Sequence, residues 1–289
     1  MTAALPPLIP HFETLAPDYD VLLCDVWGVV HNGVAAFPRA CDALTRARAG
    51  GARVVFITNA PRPSEVVSGQ LGKLHVPREA YDAIVSSGDV TRGVMQQRAG
   101  QSFFHLGPER DRSIFSGLDA KFSALESADY VVCSGLVDDD VDKPEDYRAR
   151  LEIMLKRRLF MLCGNPDVVV ERGDKLVYCA GSIADLYAAM GGEVLYAGKP
   201  YRPIYDMALA KAEAAAARKV PLKRVLAIGD SVRTDLTGAR TAGVDFLFVT
   251  SGIHAEELGG RERPDTGPLT ATFAAAGGMP KAVMRELVW

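Results

Sequence analysis

Four short apolar segments of the sequence each end in polar residues that could act on a phosphate group. Val21–Cys24 is followed by Asp25, Val54–Ile57 by Thr58, Val194–Ala197 by Gly198 and Lys199, and Val225–Ile228 by Gly229 and Asp230. In open parallel sheets, ligands bind at the carboxyl ends of the strands, so residues that directly follow a strand are the first candidates for a site. Together these positions offer two carboxylates, a hydroxyl group and an ammonium group.

The two carboxylates, Asp25 and Asp230, suit Mg²⁺, because this ion prefers oxygen ligands and binds through one or two carboxylates plus a substrate phosphate. Lys199 would neutralise phosphate charge, and the Thr58 hydroxyl with nearby backbone amides such as that of Val26 would donate to phosphate oxygens. Asp25 could then attack phosphorus and form an aspartyl-phosphate. The residue types therefore favour a magnesium-dependent phosphoryl-transfer site.

These residues meet only if a parallel sheet brings the strand ends to one edge. Eight short segments are apolar throughout rather than alternating, which is typical of strands that are covered on both faces. They are Val21–Cys24, Val54–Ile57, Ile84–Ser86, Tyr130–Cys133, Leu159–Cys163, Val194–Ala197, Val225–Ile228 and Phe246–Val249. Helical patterns lie between them, the first opening at Pro38 and stopping at Gly50. The alternation predicts an α/β fold with a parallel sheet.

Composition excludes several other classes of protein. The chain has 289 residues, of which 48% are hydrophobic and 24% charged, so intrinsic disorder is excluded and about two domains are expected. The net charge of −3 gives no general attraction to nucleic acid or to an anionic membrane. Five cysteines without CxxC spacing predict reduced core residues. The N-terminal segment does not read as a signal peptide and no segment reaches about 18 apolar residues, so we expect a cytoplasmic protein without a membrane span.

In their order and spacing, the candidate residues resemble the motifs of the haloacid dehalogenase superfamily. That superfamily has a nucleophilic Asp after the first strand, a Ser or Thr after the second, a Lys, and an acidic motif that contains Gly-Asp. Here these are Asp25, Thr58, Lys199 and the segment GDSVRTD, which carries Asp230 and Asp235. The interval from Asp25 to Thr58 is 33 residues and that from Lys199 to Asp230 is 31, whereas 141 residues lead from Thr58 to Lys199. The long interval resembles the large α/β cap of class IIA members.

The resemblance implies a discontinuous core and an inserted cap. The core, residues 1–83 and 190–289, would carry a Rossmann-like, doubly wound parallel sheet. The cap, residues 84–189, would contain its own mixed sheet and would supply most contacts to a small phosphorylated metabolite. We expect no nucleic-acid or membrane partner, and a homodimer is left open.

The resemblance also assigns roles to individual residues. Mg²⁺ would be held by Asp25, Asp230 and the backbone carbonyl of Trp27. Asp235 would orient Lys199 or a metal-bound water rather than bind the metal directly. For Asn59, which follows Thr58, a contact with phosphate or substrate and an ordinary turn-capping role are both open.

One position departs from the family pattern. Phosphatases of this superfamily carry a second Asp two residues after the nucleophile, which protonates the leaving oxygen, and here that position is Trp27. An indole cannot act as a general acid, and loss of acid–base assistance costs about 10²–10⁴-fold in rate. Either the substrate has a good leaving group, or another residue supplies the proton, or esters are hydrolysed poorly. We hypothesise that His31 replaces the acid; the alternative is a surface histidine in a flap beside the turn at Asn32-Gly33.

The favoured function is therefore magnesium-dependent hydrolysis of a small phosphorylated metabolite. The alternative is a binding or regulatory protein that retains phosphate recognition without turnover, which Trp27 favours and the complete set of four motifs disfavours. Hydrolysis of a carbon–phosphorus or carbon–halogen bond is a lesser alternative. Dehalogenation should not need magnesium, so Asp230 counts against it.

Overall fold

The computed structural model describes residues 6–172, 175–253 and 266–289. Residues 1–5, 173–174 and 254–265, which belong to the predicted core and cap, lie outside the described residues. The strands are β1 (Val21–Asp25), β2 (Arg53–Thr58), β3 (Ala83–Ser86), β4 (Ser102–Leu106), β5 (Lys121–Phe122), β6 (Tyr130–Cys133), β7 (Met161–Cys163), β8 (Val169–Arg172), β9 (Lys175–Tyr178), β10 (Val194–Tyr196), β11 (Val225–Gly229), β12 (Asp245–Val249) and β13 (Ala282–Met284). The α-helices are α1 (Pro38–Ala49), α2 (Ser64–Lys73), α3 (Ser87–Gln97), α4 (Arg148–Arg157), α5 (Ala180–Ala189), α6 (Arg202–Ala216), α7 (Thr237–Ala242) and α8 (Thr266–Ala275).

The chain divides into two compact units. The first contains Met1–Thr58, Ser68–Val85 and Tyr205–Trp289, and the second contains Asn59–Val67 and Ser86–Ile204. The second unit thus takes in 59–67 and 190–204 in addition to most of the predicted cap. The predicted domain boundaries themselves stay a prediction.

The first unit is built on a six-stranded sheet in the order β13-β12-β11-β1-β2-β3. From β13 to β2, each strand runs parallel to its neighbour. Strands β1 and β11 are buried along their whole length, which explains their unbroken apolar sequences. The strand order runs outwards from β1 in both directions, so the fold is α/β with a doubly wound parallel sheet, as predicted. Its topological switch point lies between β1 and β11, where such sheets bind their ligands.

The second unit has a five-stranded sheet in the order β10-β7-β6-β4-β5, in which every pair is parallel. Strands β8 and β9, which lie between β7 and β10 in the sequence, form a separate antiparallel pair. The prediction of one mixed sheet was therefore wrong. Helical crossovers such as α4 between β6 and β7 allow parallel pairing, whereas β8 and β9, which are close together in the sequence, pair antiparallel.

Strand β10 corrects a second expectation. Its sequence predicted a core strand, but β10 pairs with β7 in the sheet of the second unit.

All five cysteines are free and buried, as the sequence predicted. Among the helices in the described part of the chain, none is both long enough and apolar enough to span a bilayer.

Asp82 connects three elements of the first unit. Its carboxylate accepts hydrogen bonds from the Arg48 guanidinium at 2.6 and 3.0 Å and from the backbone N–H of Val54 at 2.8 Å. Arg48 belongs to α1, Val54 to β2, and Asp82 directly precedes β3. Burial of the carboxylate opposes ionisation, but the bonds from Arg48 and Val54 outweigh it and lower the pKa of Asp82.

We expect Asp82→Asn to lower the free energy of unfolding by about 1–3 kcal/mol at pH 7, because Arg48 loses its anionic partner. The lowered pKa makes this stabilisation fully present above about pH 4 and weaker as the pH falls through the folded-state pKa. Urea unfolding between pH 7 and pH 3 measures the difference. Glu79→Gln, which removes an exposed charge three residues away, is the control and should change stability by less than about 0.5 kcal/mol. An equal effect of both variants would contradict the role of Asp82.

Candidate active site

Three of the predicted site residues lie at one edge of the core sheet. Asp25 is the last residue of β1, Thr58 is the last residue of β2, and Asp230 directly follows β11. These strands are adjacent and parallel, and in their register Ile57 pairs with Asp25 while Ile228 pairs with Cys24. Thr58 and Asp230 therefore each lie one residue beyond the level of Asp25. The parallel strands thus bring the ends that carry these three residues to one edge of the sheet, while the roles of the residues stay a prediction.

Asp25, Asp230 and Asp235 form a buried acidic cluster. One carboxylate oxygen from each residue lies within 4.8 Å of the other two. Asp25 is 8% exposed, Asp230 5% and Asp235 3%. Like charges this close repel each other strongly where water is excluded, so the cluster calls for a cation. All three donors are hard oxygens, the ligand type that Mg²⁺ prefers, and the residues present therefore fit this ion.

Backbone N–H groups hold the three carboxylates in place. Val26 donates to Oδ1 of Asp25 at 2.7 Å, Ile253 to Oδ2 of Asp230 at 2.9 Å, and Ser231 to Oδ2 of Asp235 at 3.1 Å. Asp235 itself lies in a π-helical turn, Val232–Leu236, a local form that is frequent at functional sites. The amide of Val26, predicted to contact phosphate, thus fixes the orientation of the predicted nucleophile.

Two glycines allow the backbone to approach Asp230 closely. A Cβ atom at either Gly28 or Gly252 would collide with the Asp230 carboxylate. Gly28 also has a φ of +84°, in the left-handed region that favours glycine. Gly252 and Ile253 were not among the predicted site residues, although the polar segment Thr250-Ser251-Gly252 directly follows a predicted strand and was a usable signal.

Trp27 and His31 pack together in the flap, residues 26–37, that follows the predicted nucleophile. Their rings meet edge to face with centroids 5.1 Å apart. Nδ1 of His31 accepts a hydrogen bond from the backbone N–H of Gly33 at 2.9 Å. Contrary to the surface position considered above, His31 is 3% exposed, and burial lowers its pKa to about 4. A neutral histidine at pH 7 favours a structural role in the flap, and the general-acid role of His31 stays a prediction that this environment disfavours.

Lys199 and Asn59 belong to the second unit, where they bind each other. The Asn59 side chain accepts from the backbone N–H of Lys199 at 2.7 Å and donates to its carbonyl at 3.2 Å. It also donates to Oδ1 of Asp167 at 2.9 Å. These bonds favour a positioning role for Asn59 over a direct contact with phosphate. The phosphate-binding role of Lys199, and the backbone carbonyl of Trp27 as a metal ligand, stay predictions.

A second acidic cluster, Asp138–Asp140, has a different character. Asp139 forms ion pairs with Arg110 and with Arg172, the latter at 2.5 Å, and Asp140 pairs with Arg172 at 3.3 Å. Arginine charge thus compensates the carboxylates of Asp139 and Asp140. The cluster at Asp25 is buried throughout, whereas Asp138 and Asp140 are exposed, so it is the better candidate for a metal centre.

We expect Gly28→Ala to weaken divalent-cation binding, because the new methyl group displaces the Asp230 carboxylate. Gly51→Ala is a matched control: its φ is +104°, but nothing lies within 4 Å of the new Cβ atom. Both variants should lose about 1–2 kcal/mol of stability from the unfavourable backbone angle. The rise in melting temperature on adding Mg²⁺ should shrink only in Gly28→Ala. An unchanged Mg²⁺ response in Gly28→Ala would argue against metal binding by Asp230.

Comparison with known families identifies the chain. Its sequence matches the haloacid dehalogenase-like hydrolase family over residues 22–121 and an HAD-hydrolase-like family over residues 196–272. The first range contains Asp25 and Thr58, and the second contains Lys199 and Asp230.

Individual relatives agree with these matches. The chain is 24% identical to the 5'-nucleotidase YutF of Bacillus subtilis, over 83% of this chain and 90% of that protein. It is 26% identical to the D-glycerol 3-phosphate phosphatase of Mycobacterium tuberculosis, over 84% of this chain and 66% of that protein. A crystal structure of a haloacid dehalogenase-like family hydrolase from Brucella suis 1330 is 43% identical, with a TM-score of 0.88, and covers 97% of this chain and 100% of its own. With this identity over nearly its whole length, the chain belongs to the haloacid dehalogenase-like hydrolase family and is a hydrolase.

Proposed function

We propose that this protein is a magnesium-dependent phosphatase of a small phosphorylated metabolite, with Asp25 as the nucleophile. The observation that carries the proposal is the buried cluster of Asp25, Asp230 and Asp235 at the switch point of a parallel sheet. The names of two relatives, a 5'-nucleotidase and a glycerol phosphate phosphatase, support phosphate esters as the substrate class.

In the proposed reaction, a carboxylate oxygen of Asp25 attacks phosphorus while the bond from phosphorus to the leaving oxygen of the substrate breaks, and water then hydrolyses the resulting aspartyl-phosphate to release phosphate. The hydrogen bond from Val26 holds the carboxylate in one orientation, which reduces the entropy lost on reaching the transition state. The Thr58 hydroxyl, at the end of the neighbouring strand, would donate to a phosphate oxygen. A bound Mg²⁺ would offset the charge of the carboxylates and of the phosphate.

Other parts of the proposal rest on the sequence. Lys199 is assigned to phosphate charge, Asp235 to an orienting role, and the cytoplasm as the location, each from its sequence pattern. The alternative of a binding or regulatory protein without turnover rests on Trp27, which offers no proton to a leaving group.

We expect Asp25→Asn to abolish phosphate release from a phosphomonoester panel, by at least about 10³-fold, because an amide cannot serve as the nucleophile. Wild-type release should stop when a chelator removes divalent cations and return when Mg²⁺ is added. The control is Asp42→Asn, which neutralises an exposed carboxylate on α1 and should leave the rate unchanged.

Two results would contradict the proposal. One is phosphate release that persists in Asp25→Asn, which would exclude this residue as the nucleophile. The other is a wild-type protein that binds phosphate ligands but releases no phosphate from any substrate, which would favour the regulatory alternative.

A further inference from the structure

The flap is the segment that the fold places directly after the nucleophile. Between Val26 and Phe37, His31 is the only residue with a titratable side chain. Trp27, two residues after Asp25, is partly exposed, whereas His31 is buried against it. Any proton that the flap could deliver to a leaving group would therefore have to come from one of these two rings.

Trp27 is held in one position and cannot supply a proton. Its ring packs on His31 and against Gly33, where a Cβ atom would lie 2.6 Å from two indole carbons. Gly33 has a φ of +83°, so both space and backbone conformation favour glycine at this position. The indole N–H donates hydrogen bonds but does not ionise in the range of a general acid.

The hydrogen bonding of His31 disfavours the same role on geometric grounds. Nδ1 accepts the backbone N–H of Gly33, so this nitrogen carries a lone pair and the single ring proton lies on Nε2. Parallel and antiparallel bridges from His31 to Trp27 and Ala36 hold the backbone of this residue. The geometry therefore gives His31 a structural role in the flap.

This arrangement determines where the electron pair of the broken bond must go. When a carboxylate oxygen of Asp25 forms its bond to phosphorus, the bond from phosphorus to the leaving oxygen breaks, and both electrons stay on that oxygen. Without a proton from the flap, the group departs as an anion and takes its proton from water afterwards. The barrier then depends on how stable that anion is.

Leaving groups differ widely in this respect. A carboxylic acid has a pKa of about 4 and a phenol has a pKa of about 10. The second pKa of a phosphate monoester is about 6. Alkyl alcohols are far weaker acids than any of these. General-acid catalysis is worth about 10²–10⁴-fold, and its absence penalises alkyl esters most.

We propose that the substrate of this protein is a phosphate compound whose leaving group is stable as an anion, and that Trp27 is the residue that determines this specificity. Acyl phosphates, phosphoanhydrides and aryl phosphates share this chemistry, whereas alkyl phosphate esters lack it. The inference rests on the proposed function, since it concerns the same reaction at Asp25. It separates this chain from what the names of its phosphatase relatives suggest, because nucleotides and glycerol phosphate are alkyl esters.

The test compares kcat/KM, with saturating Mg²⁺, for ring-substituted phenyl phosphates of similar size and graded phenol pKa. Acetyl phosphate, inorganic pyrophosphate and glycerol phosphate extend the series and distinguish the acyl, anhydride and alkyl classes. We expect the wild-type kcat/KM to fall by about 10²–10⁴-fold from the most acidic to the least acidic phenol. Glycerol phosphate should be the poorest substrate.

Three variants separate the contributions of the flap. Trp27→Asp supplies an acid and should raise kcat/KM for substrates with poor leaving groups. It should change kcat/KM little for substrates with good leaving groups, so the dependence of kcat/KM on leaving-group pKa becomes weaker. Trp27→Phe keeps an aromatic ring without an ionisable group and should keep the wild-type dependence even if Trp27→Asp folds badly. His31→Asn should keep that dependence as well, since His31 donates no proton.

The outcomes separate this inference from the proposed function. A wild-type kcat/KM that does not depend on leaving-group pKa would overturn the inference, because another group would then supply the proton. A steeper dependence in His31→Asn would overturn it too and would restore His31 as the acid. If Asp25→Asn abolishes release while the wild-type dependence is flat, only the inference fails. If Asp25→Asn retains activity, or if no substrate is turned over, the proposed function fails and the inference fails with it.

Discussion

The mutual repulsion of three buried carboxylates is the constraint on which the rest of the site depends. Asp25, Asp230 and Asp235 bring their oxygens within 4.8 Å of one another, an arrangement that lowers the stability of the folded chain unless the carboxylate charges are compensated. The fold holds each of the three carboxylates in a fixed position. Parallel strands set the level of Asp25 and Asp230, a π-helical turn holds Asp235, and a backbone N–H donates to each carboxylate. The site thus keeps its geometry at a cost in stability, as functional sites commonly do.

Strand ends were the part of the site that could be predicted from the sequence. Strands β1, β2 and β11 are continuous apolar segments, and the polar residues after them meet because the strands are parallel neighbours. What could not be predicted depends on contacts between segments far apart in the chain. The approach of Gly28 and Gly252 to Asp230 is one example, and the burial of His31 under Trp27 is another. A local pattern carries no information about such neighbours.

The fold shows the same limit. Strand β4 was missed because its sequence, SFFHL, mixes polar residues with aromatic ones, and β5 and β13 are only two and three residues long. Strand β10 was recognised as a strand but assigned to the wrong sheet. Its apolar pattern indicates burial, but only the pairing with β7 decides in which sheet it is buried.

The position of β1 in its sheet has a consequence for the order in which the chain acquires structure. Val21 of β1 pairs with Val225 of β11, so the central strand of the first unit is synthesised some two hundred residues before one of its two partners. The second unit, in contrast, consists of one long continuous segment, Ser86–Ile204, and one short segment, Asn59–Val67. Because contacts between distant residues form late, the second unit can complete its sheet during translation while one side of β1 is still unpaired. The strand that carries the predicted nucleophile is therefore among the first to be made, and its sheet is among the last to close.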